Sequence, residues 1–107
     1  MYRIIFEHHP KKGQEEAFIK QWKTGSDIIQ TYPGARGTKL FRSLKDPKIL
    51  YAMAEWESKS ARDKAVAEME KREDAEWLLH AHEKFVTAHP TIVSAELIGE
   101  SDPPSNQ

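Results

Sequence analysis

Cysteine is absent from the 107 residues, which excludes disulfides, thiolate nucleophiles and cysteine-ligated metals and is compatible with the reducing cytoplasm, the expected location. Long apolar runs are missing too: none approaches a membrane span, and the opening MYRIIFEHHP has neither the basic start nor the extended apolar stretch of a secretory signal. Neither sign of charge dominates. Sixteen basic residues stand against seventeen acidic ones and the two are interleaved, so the continuous cationic surface that would neutralise nucleic-acid phosphates is lacking. GARG, at 34–37, has neither the spacing nor the lysine–serine pair of a phosphate-binding loop, and no serine sits in a GxSxG elbow. What is left is a folded, soluble chain of single-domain size, with neither a nucleic acid nor a membrane as its expected partner.

What is present follows two periods. Tyr2–His8 reads as a strand with Ile4, Phe6 and His8 on one face and Arg3, Ile5 and Glu7 on the other, closed by His9-Pro10. From Lys12 the spacing turns helical: Phe18, Trp22 and Ile29 recur, Ala17, Ile19 and Ile28 widen the stripe, and Lys20, Gln21, Lys23 and Asp27 face outward. Gly25 inside this helix admits a close neighbour, and Pro33-Gly34 ends it. Arg36, Thr38, Leu40 and Arg42 then alternate with Gly37, Lys39, Phe41 and Ser43; beyond LKDPK, Ile49, Tyr51 and Met53 alternate with Leu50, Ala52, Ala54 and Trp56. These are two antiparallel strands joined by a short loop. Ser58 or Ser60 caps a second helix with Ala61, Ala65 and Met69 on its buried stripe. EKRED, at 70–74, breaks the spacing before Trp77, Ala81, Phe85 and Ala88 resume it in a third helical segment, with Leu78 beside them. After Pro90 a last strand spans Thr91–Ile98, with Ile92 and Ile98 on one face and Val93, Ala95 and Leu97 on the other.

The order strand, helix, strand, strand, helix pair, strand predicts an α+β, ferredoxin-like split βαβ fold: a four-stranded antiparallel sheet with both helical layers on one side. One domain covers 1–99, and 100–107 form a flexible tail. Several strands carry apolar residues on both faces: Ile5 lies between Ile4 and Phe6, and Tyr51 and Met53 stand opposite Ala52 and Ala54. One covered face does not need so many. Two sheets facing one another across a two-fold axis would bury the surplus, so a homodimer through the sheet faces is expected.

The segment PGARGTKLFRSLKDPKILYAMAEWESKSARDKA resembles the centre of the antibiotic biosynthesis monooxygenase-like family, a branch of the dimeric α/β-barrel superfamily. The glycine-started strand, the mixed turn and the aromatic-containing strand ending EWES before a helix carry the likeness. The resemblance implies a dimeric α/β barrel with a pocket between sheet and helices in each subunit. It also implies a choice of chemistries, since members oxidise aromatic polyketides without cofactor, degrade haem or isomerise.

Two glycines open the central strand. Gly34 after Pro33 suits a positive φ at a turn, and Gly37 suits a bulge or a close approach of the first strand. Arg36 and Arg42 share parity with Thr38 and Leu40, so they belong at the strand's ends or in ion pairs across the dimer with Glu7, Glu55 or Glu57; the alternative is that they clamp an anionic substrate.

Of the five histidines, His80 and His82 stand two apart, about 200° round a helix, and so cannot share a metal as an i,i+4 pair would; no metal site is expected. His9 belongs at the exposed exit of the first strand, whereas His8 shares a face with Ile4 and Phe6. Haem degradation within the family uses a helix histidine on iron, a first-strand asparagine and a second-helix tryptophan. His82, His8 or Glu7, and Ala65 stand near those places, and the alanine and the missing asparagine depart from that set. Cofactor-free oxygenation asks only for a base, oxyanion donors and a dry aromatic cavity. His8 or His82 is the candidate base. Trp22, Tyr32, Phe41, Tyr51, Trp56, Trp77 and Phe85 are candidates to line the cavity, with Arg36 to neutralise a phenolate. The expected function is a cofactor-independent monooxygenase acting on a small aromatic phenol, quinol or anthrone. A haem-binding or haem-degrading protein and a noncatalytic small-ligand-binding dimer are the alternatives.

Overall fold

The computed structural model describes residues 1–87 and 91–104. Four strands, β1 (Tyr2–His8), β2 (Ala35–Arg42), β3 (Leu50–Trp56) and β4 (Thr91–Glu96), form one antiparallel sheet in the order β2-β3-β1-β4. Helices α1 (Glu15–Ile29), α2 (Lys59–Glu70) and α3 (Ala75–His80), and a 3-10 helix (Ala81–Phe85), cover one face. This is the ferredoxin-like order read from the sequence.

Period-two alternation in β1 points Tyr2, Ile4, Phe6 and His8 toward the helices and Arg3, Ile5 and Glu7 away. In β3, Leu50, Ala52 and Trp56 are buried beneath the helices, while Tyr51, Met53 and Glu55 take the outer side. Helix α1 starts at Glu15 rather than Lys12, because Gly13 turns the chain at φ +78° first; Glu15 and Glu16 then meet the positive end of the helix dipole. Gly25 packs against α3, where an added Cβ would lie 3.8 Å from the Leu78 carbonyl oxygen. For α2, Ser58 is the cap, its hydroxyl accepting from the Ala61 N–H at 3.0 Å.

Gly37 corrects the parity expected of β2. It sits at φ +105°, its N–H donates to Gln30 Oε1 at 2.8 Å, and the register with β3 shifts between Ala35 and Thr38. The bulge puts Arg36 and Gly37 together on the outer face and turns Thr38 and Leu40 inward, so Arg36 and Thr38 do not share a side. Close approach of β1 is not the reason, since β2 pairs with β3 and an added Cβ at Gly37 would meet nothing within 4 Å. Both arginines pair within their own chain rather than across a dimer: Arg36 with Glu57 at 2.9 Å, and Arg42 with Glu15 in the first turn of α1, a partner its strand position does not suggest.

Two later elements also differ. The third helical segment is shorter than its spacing predicts: α3 passes into the 3-10 helix at Ala81, Leu78 rather than Trp77 is buried, and Ala88, placed on the same stripe, lies outside the described residues. Strand β4 stops at Glu96, because β1, its pairing partner, begins at Tyr2, which faces Glu96. Residues 97–104 have no regular structure.

Gly34 meets two demands at once. Its φ is +88°, and a methyl there would stand 2.7 Å from Ala61 Cβ at the start of α2. Gly34→Ala should therefore lower stability by about 2 to 3 kcal/mol, and Gly37→Ala, with strain but open space, by about 1 kcal/mol. Denaturant unfolding of both variants checks this; equal losses would show that contact with α2 contributes nothing.

Candidate functional site

The core is divided. Tyr2, Ile4, Trp56, Ala65, Met69 and Leu78 form one buried cluster, and Phe18, Leu50 and Val86 form another. Between sheet and helices lies a cavity of about 320 Å³, at the lower end of the range for small-molecule sites. Its floor is Ile4, Phe6 and His8 from β1, Thr38 from β2, and Ala52, Ala54 and Trp56 from β3. Alanines at 52 and 54 and Gly25 in the α1 wall are why space remains there. Helix α1 contributes Gln21, Trp22, Ser26, Ile29 and Gln30, and α2 contributes Arg62, Val66, Met69 and Glu70. Leu78, Leu79, His80 and His82 complete the lining of this partly open cavity.

His8 is 4% exposed and its Nδ1 has no hydrogen-bond partner among the described residues. Its ring stacks on Phe6 (centroids 5.9 Å apart), tilts against Phe18 (4.8 Å) and meets the His82 ring edge-on at 5.5 Å. Burial pulls this imidazole down from the usual 6.5 to about 4, and the neighbouring His82 and His9 add to the drop. His82 is lowered as well, chiefly by burial; Glu83 works against the shift and His80 with it. Both rings are therefore neutral at pH 7, each able to accept a proton or, through its N–H, to donate a hydrogen bond.

Four of the residues singled out from the sequence meet at this cavity: His8, His82, Trp22 and Trp56. The other six lie elsewhere. Tyr32 packs under the first cluster, with its hydroxyl accepting from Arg72 at 3.3 Å. Arg36 and Phe41 border a shallow groove on the opposite face of the sheet, and Tyr51, paired with Phe41, lies on that face as well. Trp77 is exposed, and Phe85 packs on the second cluster with the Lys84 ammonium 5.1 Å from its ring centroid. Sequence reasoning missed Arg62, Ser26, Gln30 and Thr38 and assigned Gln21 outward. The positions 21/22, 25/26 and 29/30 do recur at helical spacing, but their mixed polarity hides the wall they form.

His80 and His82 both border the cavity in spite of their spacing, because the backbone changes from α to 3-10 at Ala81. Among the described residues no three histidine or acidic side chains gather within reach of one metal ion. Ala65, at the place of the tryptophan that haem degradation requires, is 3% exposed, packed in the first cluster and not part of the cavity lining. The haem-degrading set therefore lacks its tryptophan, while His82, at the place of the iron ligand, borders the cavity.

A family model described as antibiotic biosynthesis monooxygenase matches residues 1–77. No curated protein matches the chain. Among solved structures, Rv0793 from Mycobacterium tuberculosis superposes with a TM-score of 0.76 at 13% identity, over 94% of this chain and 98% of that one. A conserved protein from Methanosarcina mazei Go1 gives 0.75 at 14% identity, over 88% and 89%. A protein titled antibiotic biosynthesis monooxygenase gives 0.73 at 17% identity, over 92% and 100%. At such identities these likenesses speak to the fold alone.

The lowered His8 sets a pH dependence. Below pH 6.5 the unfolded chain takes up a proton that the folded chain refuses until about pH 4, so stability falls across that window as pH falls. The loss attributable to His8 approaches about 3 kcal/mol. Urea unfolding of His8→Gln between pH 7 and 4 should show a shallower decline than the wild type. Parallel curves would mean that the imidazole is not held neutral by burial.

Proposed function

The chain belongs to the antibiotic biosynthesis monooxygenase family, and from that premise we propose that it is a cytoplasmic, cofactor-independent monooxygenase of a small phenolic, quinol or anthrone-like compound. The family is associated with small-ligand binding and monooxygenase-like activity in general. The observation that carries the finer reading is His8: a buried, uncharged imidazole bordering an aromatic-walled cavity, with an unpartnered nitrogen that a ligand's hydroxyl would satisfy.

In the proposed reaction the substrate gives its acidic proton to neutral His8, or to His82 beside it. Burial opposes an isolated imidazolium, and the phenolate or enolate formed next to it offsets that penalty. The anion passes one electron to dioxygen, and the substrate radical and superoxide combine to form a carbon–oxygen bond. Loss of water from the resulting peroxide leaves the ketone. For an anthrone the balance is one dioxygen consumed, one quinone and one water produced, with no external reductant. Trp22 and Trp56 supply apolar walls, and a ligand filling the space between them would displace water from the anion. The two candidate bases are not exposed, and open volume remains between Trp22 and Trp56, which favours a catalytic over a passive site.

The outer face of the sheet completes the proposal. Ile5, Met53, Tyr51 and Val93 form an apolar band there, and Phe41 and Val93 are 47% and 50% exposed. A second copy of the chain is the proposed cover. Sedimentation at micromolar concentration should give twice the chain mass, and a monomer would remove this part of the reading.

Oxygen uptake with anthrones, naphthoquinols and simple phenols tests the chemistry. With His8 as base, kcat/KM should hold steady as pH falls through 6.5 and decline only toward about 4. His8→Gln, or His82→Gln if that ring is the base, should lose about a hundredfold in kcat with binding retained. Unchanged uptake in both variants would rule these histidines out; binding without uptake in the wild type would make the protein a noncatalytic binder.

A further inference from the structure

Arginine is the clearest place to look for a ligand's second anchor. Four of the five arginines are committed: Arg3 donates to Glu55, Arg36 to Glu57, Arg42 to Glu15 and Arg72 to Asp74, all at the protein surface. Arg62 differs. Its side chain is 30% exposed, its only carboxylate neighbour is Asp63 at 3.8 Å, and it makes no side-chain hydrogen bond among the described residues. Asp63 itself is engaged by Lys59 at 2.6 Å. Arg62 is also the one arginine or lysine that borders the cavity among the described residues.

Its place in the fold is defined. Arg62, Val66, Met69 and Glu70 recur at helical spacing and form the α2 wall. Met69 and Ala65 pack with Tyr2, Ile4 and Trp56, which sets this wall against the Trp56 end of the sheet, where Thr38 pairs with Ala54 and Ala54 with Ile4. His8 lies four residues along β1 from Ile4, about 13 Å away. The cavity therefore has imidazoles toward one end and a guanidinium with unused donors in the wall toward the other. Glu70 borders the same cavity but is two helical turns from Arg62, about 12 Å along α2, which leaves room for an anion at the guanidinium.

We propose that Arg62 is a specificity-determining residue that selects an aromatic substrate bearing a carboxylate or other acidic oxygen on the side remote from the phenolic or enolic hydroxyl. This rests on the reading of the cavity as an aromatic-ligand site and names the substrate class for it: a hydroxyaryl acid of two or three fused rings. A planar guanidinium gives two parallel N–H donors to a carboxylate, and partial burial protects that pairing from screening. Engaging the acid at Arg62 presents the hydroxyl to His8 and His82. A neutral phenol has no such orientation imposed on it.

Calorimetric binding of a matched pair, 2-naphthol and 6-hydroxy-2-naphthoate, at pH 7.5 in the absence of turnover tests this separately from catalysis. Wild-type protein should bind the carboxylate about tenfold more tightly. Arg62→Gln should abolish that preference while leaving 2-naphthol affinity and the thermal midpoint near wild type, Arg62→Lys should retain part of it, and Asp63→Asn should keep it whole. Equal binding of the two probes by the wild type, or a preference that survives Arg62→Gln, overturns the role of Arg62 but leaves the aromatic cavity standing. Failure of both probes to bind overturns the inference together with the aromatic reading. Discrimination without oxygen uptake by any tested phenol sustains Arg62 and removes only the oxygenase chemistry.

Discussion

The position of the site depends on a short backbone clasp at the exit of β1. Lys11 N–H donates to the Phe85 carbonyl at 2.8 Å, Thr87 N–H donates to the His9 carbonyl at 2.9 Å, and Pro10 and Val86 form a bridge between them. Proline at the centre is acceptable because its neighbours supply the donors. The clasp joins segments more than seventy residues apart in sequence, and its closure turns the 3-10 helix over the end of the central strand. His82, just ahead of Phe85, is thereby held with its ring 5.5 Å from that of His8. Phe85 packing on the second cluster and the His82 ring against Phe18 hold the same turn from the side of α1.

From that constraint follows the divided core. The clasp seats Val86 on Phe18 and Leu50 to make the smaller cluster, while α2 and α3 cover the other end of the sheet with Met69 and Leu78. Large side chains at 52, 54 and 25 would join the two clusters and close the space. Alanine, alanine and glycine stand there instead. The chain forgoes some buried apolar area in return for a cavity with aromatic walls, and it leaves a histidine nitrogen unsatisfied inside it. Its exposed carboxylates and arginines, by contrast, mostly satisfy one another at the surface, where such pairs add little to stability.

The electrostatic character of the cavity comes from the same packing. Two imidazoles with neighbouring rings, one buried and one half-buried, resist carrying charge; His82 and His9 add to the effect at His8, whereas Glu83 works against it at His82. Neutral rings beside Trp22 and an arginine with spare donors in the α2 wall make a site whose two polar ends differ in kind. One end holds neutral, titratable rings; the other carries a permanent charge.

Much of the fold was legible in the sequence. Alternation set the limits of β1 and came within one residue of those of β3, the serine before α2 announced its start, the charged break at 70–74 fell where α2 ends, Gly34 marked a positive φ and Gly37 a bulge. These are local consequences of side-chain shape, burial period and backbone freedom, and they follow wherever the segment is placed. The candidate histidines and two tryptophans were legible for the same reason, as residues on inward faces. Which aromatics reached the cavity was decided by tertiary structure. Parity cannot tell the inner face of a sheet from the outer when both are apolar, which is why Phe41 and Tyr51 were expected at the cavity. A single bulge at Gly37 reversed Arg36, and a change of helix type at Ala81 brought His80 and His82 to one wall. Arg62 gave no signal at all, because an arginine on a helix is ordinarily solvated. The role proposed for it arises from the cavity the fold places beside it and from Asp63, its carboxylate neighbour, being engaged by Lys59.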